Sequence, residues 1–307
     1  MAVARTEPVA TVRTEGRAWP VTRRTLLYLL MSIIAFLAVF PFLWSLLGSF
    51  KSSEDLFEFS VADPGTYLPR EFKFDNYSTV WGLNFGRFFF NSAFVAAVIT
   101  LAHLVLASTA GYAFARLEFR GRDVLFAAVI ATLMIPFQVT MVPLFILVKN
   151  FPLAGGNDIV GQGGFGLVNT YWGLTVPLFP TAYGTFLLRQ FFQTLPRELE
   201  DAARIDGASE FRIYWNIILP LSGAALAVLT VFSFQQTWND FVWPFIITKT
   251  EEMKTIQVGL ANFRQEFNTD WGLLMAATMV ATVPILIMFL MTQRYFVQGI
   301  ALSGIKG

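Results

Sequence analysis

The stretch LLYLLMSIIAFLAVFPFLWSLLGSF, residues 26–50, decides the fold class of this chain of 307 residues. A helix needs about 20 mainly apolar residues to cross a hydrocarbon core of roughly 30 Å, and this run carries no charge. It is longer than the apolar part of a secretory signal, and no A-x-A-like cleavage site follows it. The run therefore predicts a first transmembrane helix that stays in the protein.

The composition of the whole chain indicates the same class. Apolar types make up 55% of the residues and charged types 14%, whereas an ordinary globular domain has about 25% charged residues. The mean hydropathy is +0.56. Five further apolar segments predict spans at 88–114, 124–148, 171–192, 219–247 and 271–297. We therefore expect an all-α integral membrane protein with six transmembrane helices.

The distribution of basic residues predicts the orientation. The chain has 22 Lys and Arg against 21 Asp and Glu, so no basic excess favours binding to nucleic acid. Most of the basic residues fall in segments 1–25, 115–123, 189–215 and 294–307, which the positive-inside rule assigns to the cytoplasm. We expect a multi-pass protein of the cell (inner or plasma) membrane, in contact with lipid and with both termini cytoplasmic. Residues 51–87 then form an extracytoplasmic loop.

The inventory of reactive side chains excludes most enzymatic chemistry. The chain has no cysteine and one histidine, His103, and none of its lysines follows a glycine, so a P-loop is absent. We predict no catalytic residue, no metal site and no cofactor bound by this chain. Only His103 and Asp240 place a titratable group in an apolar stretch, which favours energy from a partner over an ion gradient. The Gly-rich segment 153–167 predicts a flexible external loop.

The segment QTLPRELEDAARIDGASEFRIYWNIILP, residues 193–220, predicts a short cytoplasmic helix. Acidic residues open it, where they favour the positive end of the helix dipole, and Gly207 is placed to end it in a left-handed conformation. Helical spacing puts four residues on one face, where the two alanines would leave room for another surface; these are Leu199, Ala202, Ala203 and Asp206.

The same segment carries a resemblance to a known family. ELEDAARIDGAS at 198–209, followed by ILP at 218–220, resembles the EAA loop of ABC importer permeases. Asp201 stands where that family most often has Glu, and Glu200 just before it preserves the charge. Stretches GYAFARL at 111–117, WNDFVWPF at 238–245 and YFVQGIALSGIKG at 295–307 are similar to the smaller maltose-type permease of the carbohydrate-uptake branch. The resemblance covers residues 26–307 apart from the Gly-rich segment.

The resemblance implies a type I ABC importer transmembrane domain, with a permease core at 88–297 and a coupling helix in the 193–220 loop. The implied partners are a second homologous permease in a heterodimer, two ATPase subunits that bind ATP and Mg²⁺, and an extracytoplasmic solute-binding protein. The residues implied to couple to the ATPases are Glu200, Asp201, Ala202, Ala203, Asp206 and Gly207. Residues 298–307 are expected to form a flexible tail rather than a helix, because glycines lower helix stability. Its contacts to the ATPases are expected from Ser303, Gly304, Lys306 and Gly307.

Three functions stay open from the sequence. The resemblance favours a sugar or oligosaccharide importer; the alternative is a permease for a non-sugar solute such as glycerol phosphate, a polyamine or an amino acid. A membrane enzyme or ion-coupled carrier is the third. Candidate substrate-pathway residues are two aromatic residues that would stack on sugar faces and two polar residues near the outer end of the fifth span, where a carboxylate avoids lipid: Tyr183, Trp238, Asn239 and Asp240.

Overall fold

The structure, a computed structural model, describes residues 21–58, 60, 62–263 and 269–303, with side chains described up to residue 293. Most of the predicted N-terminal tail, together with Gly304, Lys306 and Gly307, lies outside these residues. Every regular element within them is helical. The chain divides into two units, Met1–Ser45 and Leu46–Gly307.

Helix α1, Val21–Gly48, forms the described part of the first unit and begins the second. It covers the first predicted span. Its aromatic side chains meet at four-residue spacing, with ring centroids 5.9 Å apart for Phe36 and Phe40 and 6.0 Å apart for Phe40 and Trp44. This spacing brings side chains together on one face of a helix.

The second unit holds fourteen further α-helices among the described residues. In chain order they are α2 Ser53–Phe57, α3 Asp75–Val80, α4 Gly86–Arg116, α5 Arg122–Ala131, α6 Phe137–Lys149, α7 Tyr171–Thr175, α8 Ala182–Thr194, α9 Glu198–Ile205, α10 Glu210–Ile213, α11 Leu219–Leu221, α12 Gly223–Trp238, α13 Val242–Ile247, α14 Ile256–Asn262 and α15 Trp271–Ser303.

By length and composition, three helical stretches of the described residues can cross a membrane: Val21–Gly48, Asp75–Arg116, which is kinked at Leu83 and Asn84, and Trp271–Gln293. Two more candidates are bent, by 103° between Arg122–Met134 and Phe137–Lys149 and by 78° between Glu210–Leu221 and Gly223–Trp238. The fourth predicted span is split between α7 and α8. Between three and five spans therefore meet the criteria, and the count of six stays a prediction.

Proline explains the first of these breaks. Pro136 separates the two halves of the third predicted span, and Ile135 before it has extended backbone (φ −89°, ψ 112°). A residue that precedes proline is driven out of the helical region by the proline ring, and proline itself donates no backbone hydrogen bond. The split between α7 and α8 likewise contains Pro177 and Pro180.

Two segments differ from expectation. Helix α15 continues to Ser303, so the flexible tail expected from residue 298 is helical over its described part. Gly299 lowers helix stability by about 1 kcal/mol. Extending a helix that has already formed requires no new nucleation step, so α15 can continue past this glycine. The Gly-rich segment is held in one conformation by local hydrogen bonds. Asn157 donates to the carbonyls of Lys149 and Phe151, and the backbone N–H groups of Gln162 and Val160 lower the pKa of the Asp158 carboxyl.

Helix α4 lies at the centre of the second unit. It contributes to all three apolar clusters that the described residues form. Ala107, Tyr112 and Ala115 pack in the first cluster, with residues of α8 and α12. Phe88 and Ala96 pack in the second cluster with α15, and Val95 and Ile99 pack in the third with α7 and α13. The position of α4 therefore fixes the helices around it.

Gly111 sets the close approach of α4 and α8, and its replacement tests that packing. A Cβ atom there would lie 3.1 Å from both the backbone N of Arg189 and Cβ of Leu188. Gly111→Leu should destabilise the protein by about 1–3 kcal/mol through overpacking, seen as a lower melting temperature of the detergent-solubilised protein. Gly223→Leu is the control, because nothing lies within 4 Å of that position. Equal melting temperatures would contradict the close approach.

Candidate functional site

Helix α9 begins and ends through contacts that the local sequence supplies. At its start the Arg197 carbonyl accepts hydrogen bonds from the N–H groups of Glu200 and Asp201, at 2.9 and 3.0 Å. At its end Gly207 is left-handed, with φ 78°, as the sequence predicts. Ala208 N–H donates to the Ala203 carbonyl at 2.9 Å and Gly207 N–H to the Arg204 carbonyl at 3.1 Å. These two bonds form a Schellman motif, which satisfies the carbonyls at the helix end.

A buried ion pair holds the first turn of α9 against α4. Arg116 Nε lies 2.8 Å from Glu200 Oε1, and the two side chains are only 3% and 2% exposed. Arg116 Nη2 also donates to the Leu195 carbonyl at 2.7 Å, just after α8 ends. One guanidinium therefore joins the ends of α4 and α8 to the start of α9.

A second polar connection ties α9 to the same helix. Arg204 Nε donates to Glu210 Oε1 at 2.9 Å, and its Nη2 lies 3.3 Å from Glu200 Oε2. The other oxygen of Glu210 accepts a hydrogen bond from the Tyr112 hydroxyl at 2.7 Å. Both ends of α9 are thus connected to α4, through Arg116 and through Tyr112.

This arrangement corrects the predicted docking surface of α9. Glu200 points into the protein, with its side chain only 2% exposed, so it is not available to a partner's surface. Ala203 is half-buried against the first apolar cluster, and its docking role stays a prediction. Asp201, Ala202 and Asp206 are exposed. The sequence prediction missed Ile205, which is 88% exposed, although it lies three residues after Ala202, at helical spacing. It also missed the role of Arg116 as the partner of Glu200, which the sequence indicates only by placing one cation at the end of an apolar helix.

The predicted pathway residues separate into two groups. Trp238 is 1% exposed, its indole N–H donates to the Ala281 carbonyl at 3.0 Å, and Phe89 and Phe234 cover its ring. Because no face of this ring is free for a ligand, Trp238 joins α12 to α15 and does not belong to a pathway. Tyr183 and Asn239 do lie together. They line a cleft of about 520 Å³ with Phe232, Gln235 and Gln236.

Asp240 lies beside this cleft and is not among its lining residues. Its Oδ1 atom accepts hydrogen bonds from the backbone N–H groups of Val242 at 3.1 Å and Trp243 at 3.4 Å. The carboxylate therefore satisfies N–H groups at the start of α13, which have no partner within the helix. This contact gives the half-buried Asp240 a structural role.

The single histidine of the chain joins three elements. His103 Nε2 lies 2.8 Å from the Leu178 carbonyl, and its Nδ1 lies 2.9 Å from Ser233 Oγ. Because a carbonyl only accepts, Nε2 carries the proton and Nδ1 accepts from the Ser233 hydroxyl. The imidazole thus satisfies a carbonyl beside the split between α7 and α8. Both ring nitrogens are used in holding α4, α12 and the split together.

Comparisons with known proteins agree on one class. The family described as "Binding-protein-dependent transport system inner membrane component" matches residues 104–301. The chain is 36% identical to the arabinooligosaccharides transport system permease protein of Halalkalibacterium halodurans, over 90% of this chain and 94% of that protein. It is 34% identical to the sn-glycerol-3-phosphate transport system permease protein of Yersinia enterocolitica, over 89% of this chain and 94% of that protein.

A solved structure shares the fold. It is the crystal structure of a bacterial ABC transporter involved in the import of the acidic polysaccharide alginate. A chain of that transporter is 22% identical, with a TM-score of 0.76 over 91% of this chain and 99% of the other. The helical fold described above is therefore shared with a chain of that transporter.

The end of α9 can be tested by replacing Gly207. A Cβ atom would meet nothing within 4 Å, so only the positive φ opposes a side chain. Gly207→Val should destabilise the end of the helix by about 1–2 kcal/mol, whereas Gly207→Asn should be tolerated because asparagine adopts left-handed backbone more readily. Amide hydrogen exchange over residues 200–208 measures this, and we expect faster exchange in the valine variant alone. Equal exchange in the two variants would contradict the role given to the backbone.

Proposed function

The chain belongs to the family of binding-protein-dependent transport system inner membrane components, and we propose that it forms half of the pathway of an ATP-driven importer for a neutral sugar or oligosaccharide. It is a multi-pass permease subunit and not an enzyme. The partners, the orientation and the substrate class given below are parts of the proposal.

The residues that line the cleft are the evidence for the proposed substrate class. Tyr183, Phe232, Gln235, Gln236 and Asn239 offer amides and a phenol that donate and accept, together with two aromatic rings. No lining residue carries a charge. A phosphate or carboxylate bound there would lose water without gaining an ionic partner, which is costly. The hydroxyl groups and apolar faces of a sugar match this set, which favours a sugar over glycerol phosphate or an amino acid.

The energy is proposed to come from two partner ATPase subunits, which would bind ATP and Mg²⁺. Their docking surface on this chain is the exposed side of α9, namely Asp201, Ala202, Ile205 and Asp206, with Gly207 ending the helix. A second homologous permease would complete the pathway, and the solute-binding protein of the family would deliver the substrate from outside. Both termini would then be cytoplasmic. Contacts of Ser303, Gly304, Lys306 and Gly307 with the ATPases belong to this proposal.

The docking surface is tested with Ile205→Asp. A buried charge at the centre of an apolar contact costs several kcal/mol unless it is paired, so we expect less ATPase to purify with the permease and a lower rate of uptake. Phe119→Asp is the matched control, because Phe119 is also an exposed apolar residue, in the connection between α4 and α5. Normal ATPase recovery with Ile205→Asp would remove α9 from the docking surface.

The substrate class is tested with the assembled complex and its binding protein. We expect neutral oligosaccharides to stimulate ATP hydrolysis, and glycerol phosphate, polyamines and amino acids to fail to do so. Gln236→Leu should raise the sugar concentration needed for half-maximal uptake, because one bidentate amide is lost. Gln293→Leu, on α15 and away from the cleft, should leave it unchanged. Stimulation by glycerol phosphate alone would establish the alternative.

A further inference from the structure

We propose that α4 carries the coupling between the two sides of the membrane, with Arg116 at one end and Asn91 at the other acting as positioning residues. Through α4, the position of α9 on the ATPases would be linked to the external segment 252–256. This inference rests on the proposed function, because it takes α9 as the ATPase-docking helix. It adds the element that transmits the motion and the residues that attach it at each end.

The end of α4 near α9 is attached by buried polar contacts, which we call the inner clamp. It consists of the Arg116–Glu200 ion pair and the hydrogen bond from Tyr112 to Glu210. Pulling α9 away from α4 would separate two buried and oppositely charged side chains, which is unfavourable, although Glu200 would keep Arg204 and Arg116 would keep the Leu195 carbonyl. A displacement of α9 therefore moves the end of α4 with it, rather than stretching the connection between α8 and α9.

The opposite end of α4 is attached in the same manner, through what we call the outer clamp. Asn91 is 0% exposed, and its Nδ2 donates to the carbonyls of Glu252 and Lys254, each at 2.8 Å. Its Oδ1 accepts from the Tyr171 hydroxyl at 2.6 Å. Ser92 Oγ, on the next residue of α4, accepts from the Ile256 N–H at 2.8 Å. Segment 252–256 and the start of α7 thus follow α4.

Between the clamps α4 is uninterrupted. Residues 91 and 116 are 25 positions apart, which corresponds to about 38 Å at 1.5 Å per residue. Residues 86–116 contain no proline, whereas each of the other five predicted spans contains at least one. A proline would remove a hydrogen bond and bend the helix, so its absence keeps the backbone hydrogen bonding of α4 continuous between the two clamps. His103 attaches the middle of the helix to α12 and to the split between α7 and α8.

The consequence is reciprocal. If segment 252–256 changes position when the binding protein delivers its sugar, α4 carries that change to α9, and ATP binding carries the reverse change outward. Linkage requires both directions to have the same coupling free energy. Loss of either clamp should therefore reduce stimulation of the ATPase by the loaded binding protein, without abolishing ATP hydrolysis itself.

The test uses the full complex with its binding protein and compares ATP hydrolysis with and without sugar. The variants are Arg116→Gln, Asn91→Ala and the two combined. Each single variant should lower the stimulation ratio about fivefold or more while basal hydrolysis and subunit assembly stay normal. The double variant should be no worse than either single one, because both act through one helix. Additive losses, or normal stimulation in Asn91→Ala, would overturn the proposal.

Two further variants separate coupling from stability. Asn76→Ala is the matched control, because Asn76 also donates its amide to two backbone carbonyls, those of Ser49 and Lys51, but lies on α3. The Asn76→Ala complex should keep normal stimulation, and an equal loss of stimulation there would count against the role of α4.

Tyr112→Phe removes one hydroxyl without leaving a buried charge unpaired, and it replaces Arg116→Gln if the complex with that variant does not assemble. If the wild-type permease binds no ATPase, the proposed function is wrong. If the complex assembles but the variants keep normal stimulation, only the proposed coupling through α4 is wrong.

Discussion

The ion pair between Arg116 and Glu200 is the interaction on which the position of α9 in this permease depends. Its charged atoms lie 2.8 Å apart, and both side chains are almost fully buried. Separating them would be unfavourable, because Arg116 would keep its charge in a medium of low polarity without a carboxylate partner. The same guanidinium holds the Leu195 carbonyl, so the end of α8 and the start of α9 share one anchor. Helix α9 is therefore a fixed part of the structure and not a free loop.

Polar side chains inside the apolar body serve mainly to satisfy the backbone. His103 pairs with the Leu178 carbonyl, Asn91 pairs with two carbonyls of segment 252–256, and Asp240 accepts from two N–H groups at the start of α13. Backbone groups that are not satisfied are costly in a membrane, so broken helices require such partners.

Unbroken and broken helices have different roles in this arrangement. Helix α4 touches all three apolar clusters and has a buried polar attachment at each end, whereas the predicted spans at 124–148 and 171–192 are interrupted near prolines. Breaks allow the surrounding segments to change their angles, and a continuous helix keeps two distant attachments at a constant separation. The amide-lined cleft is formed by residues of α8 and of α12 with its end.

The sequence by itself determined the fold class, the first span and the left-handed end of α9 at Gly207, because apolar length and glycine conformation act locally. The EAA pattern also placed the chain in its family. Only the tertiary structure decided which side of α9 is buried, since helical spacing groups Ala202 with Ala203 but does not say which neighbour covers them. It placed Trp238 in the packing and paired Glu200 with Arg116, which is 84 positions earlier in the chain. Such contacts join residues distant in sequence, and their free energy depends on burial that only the assembled helices create.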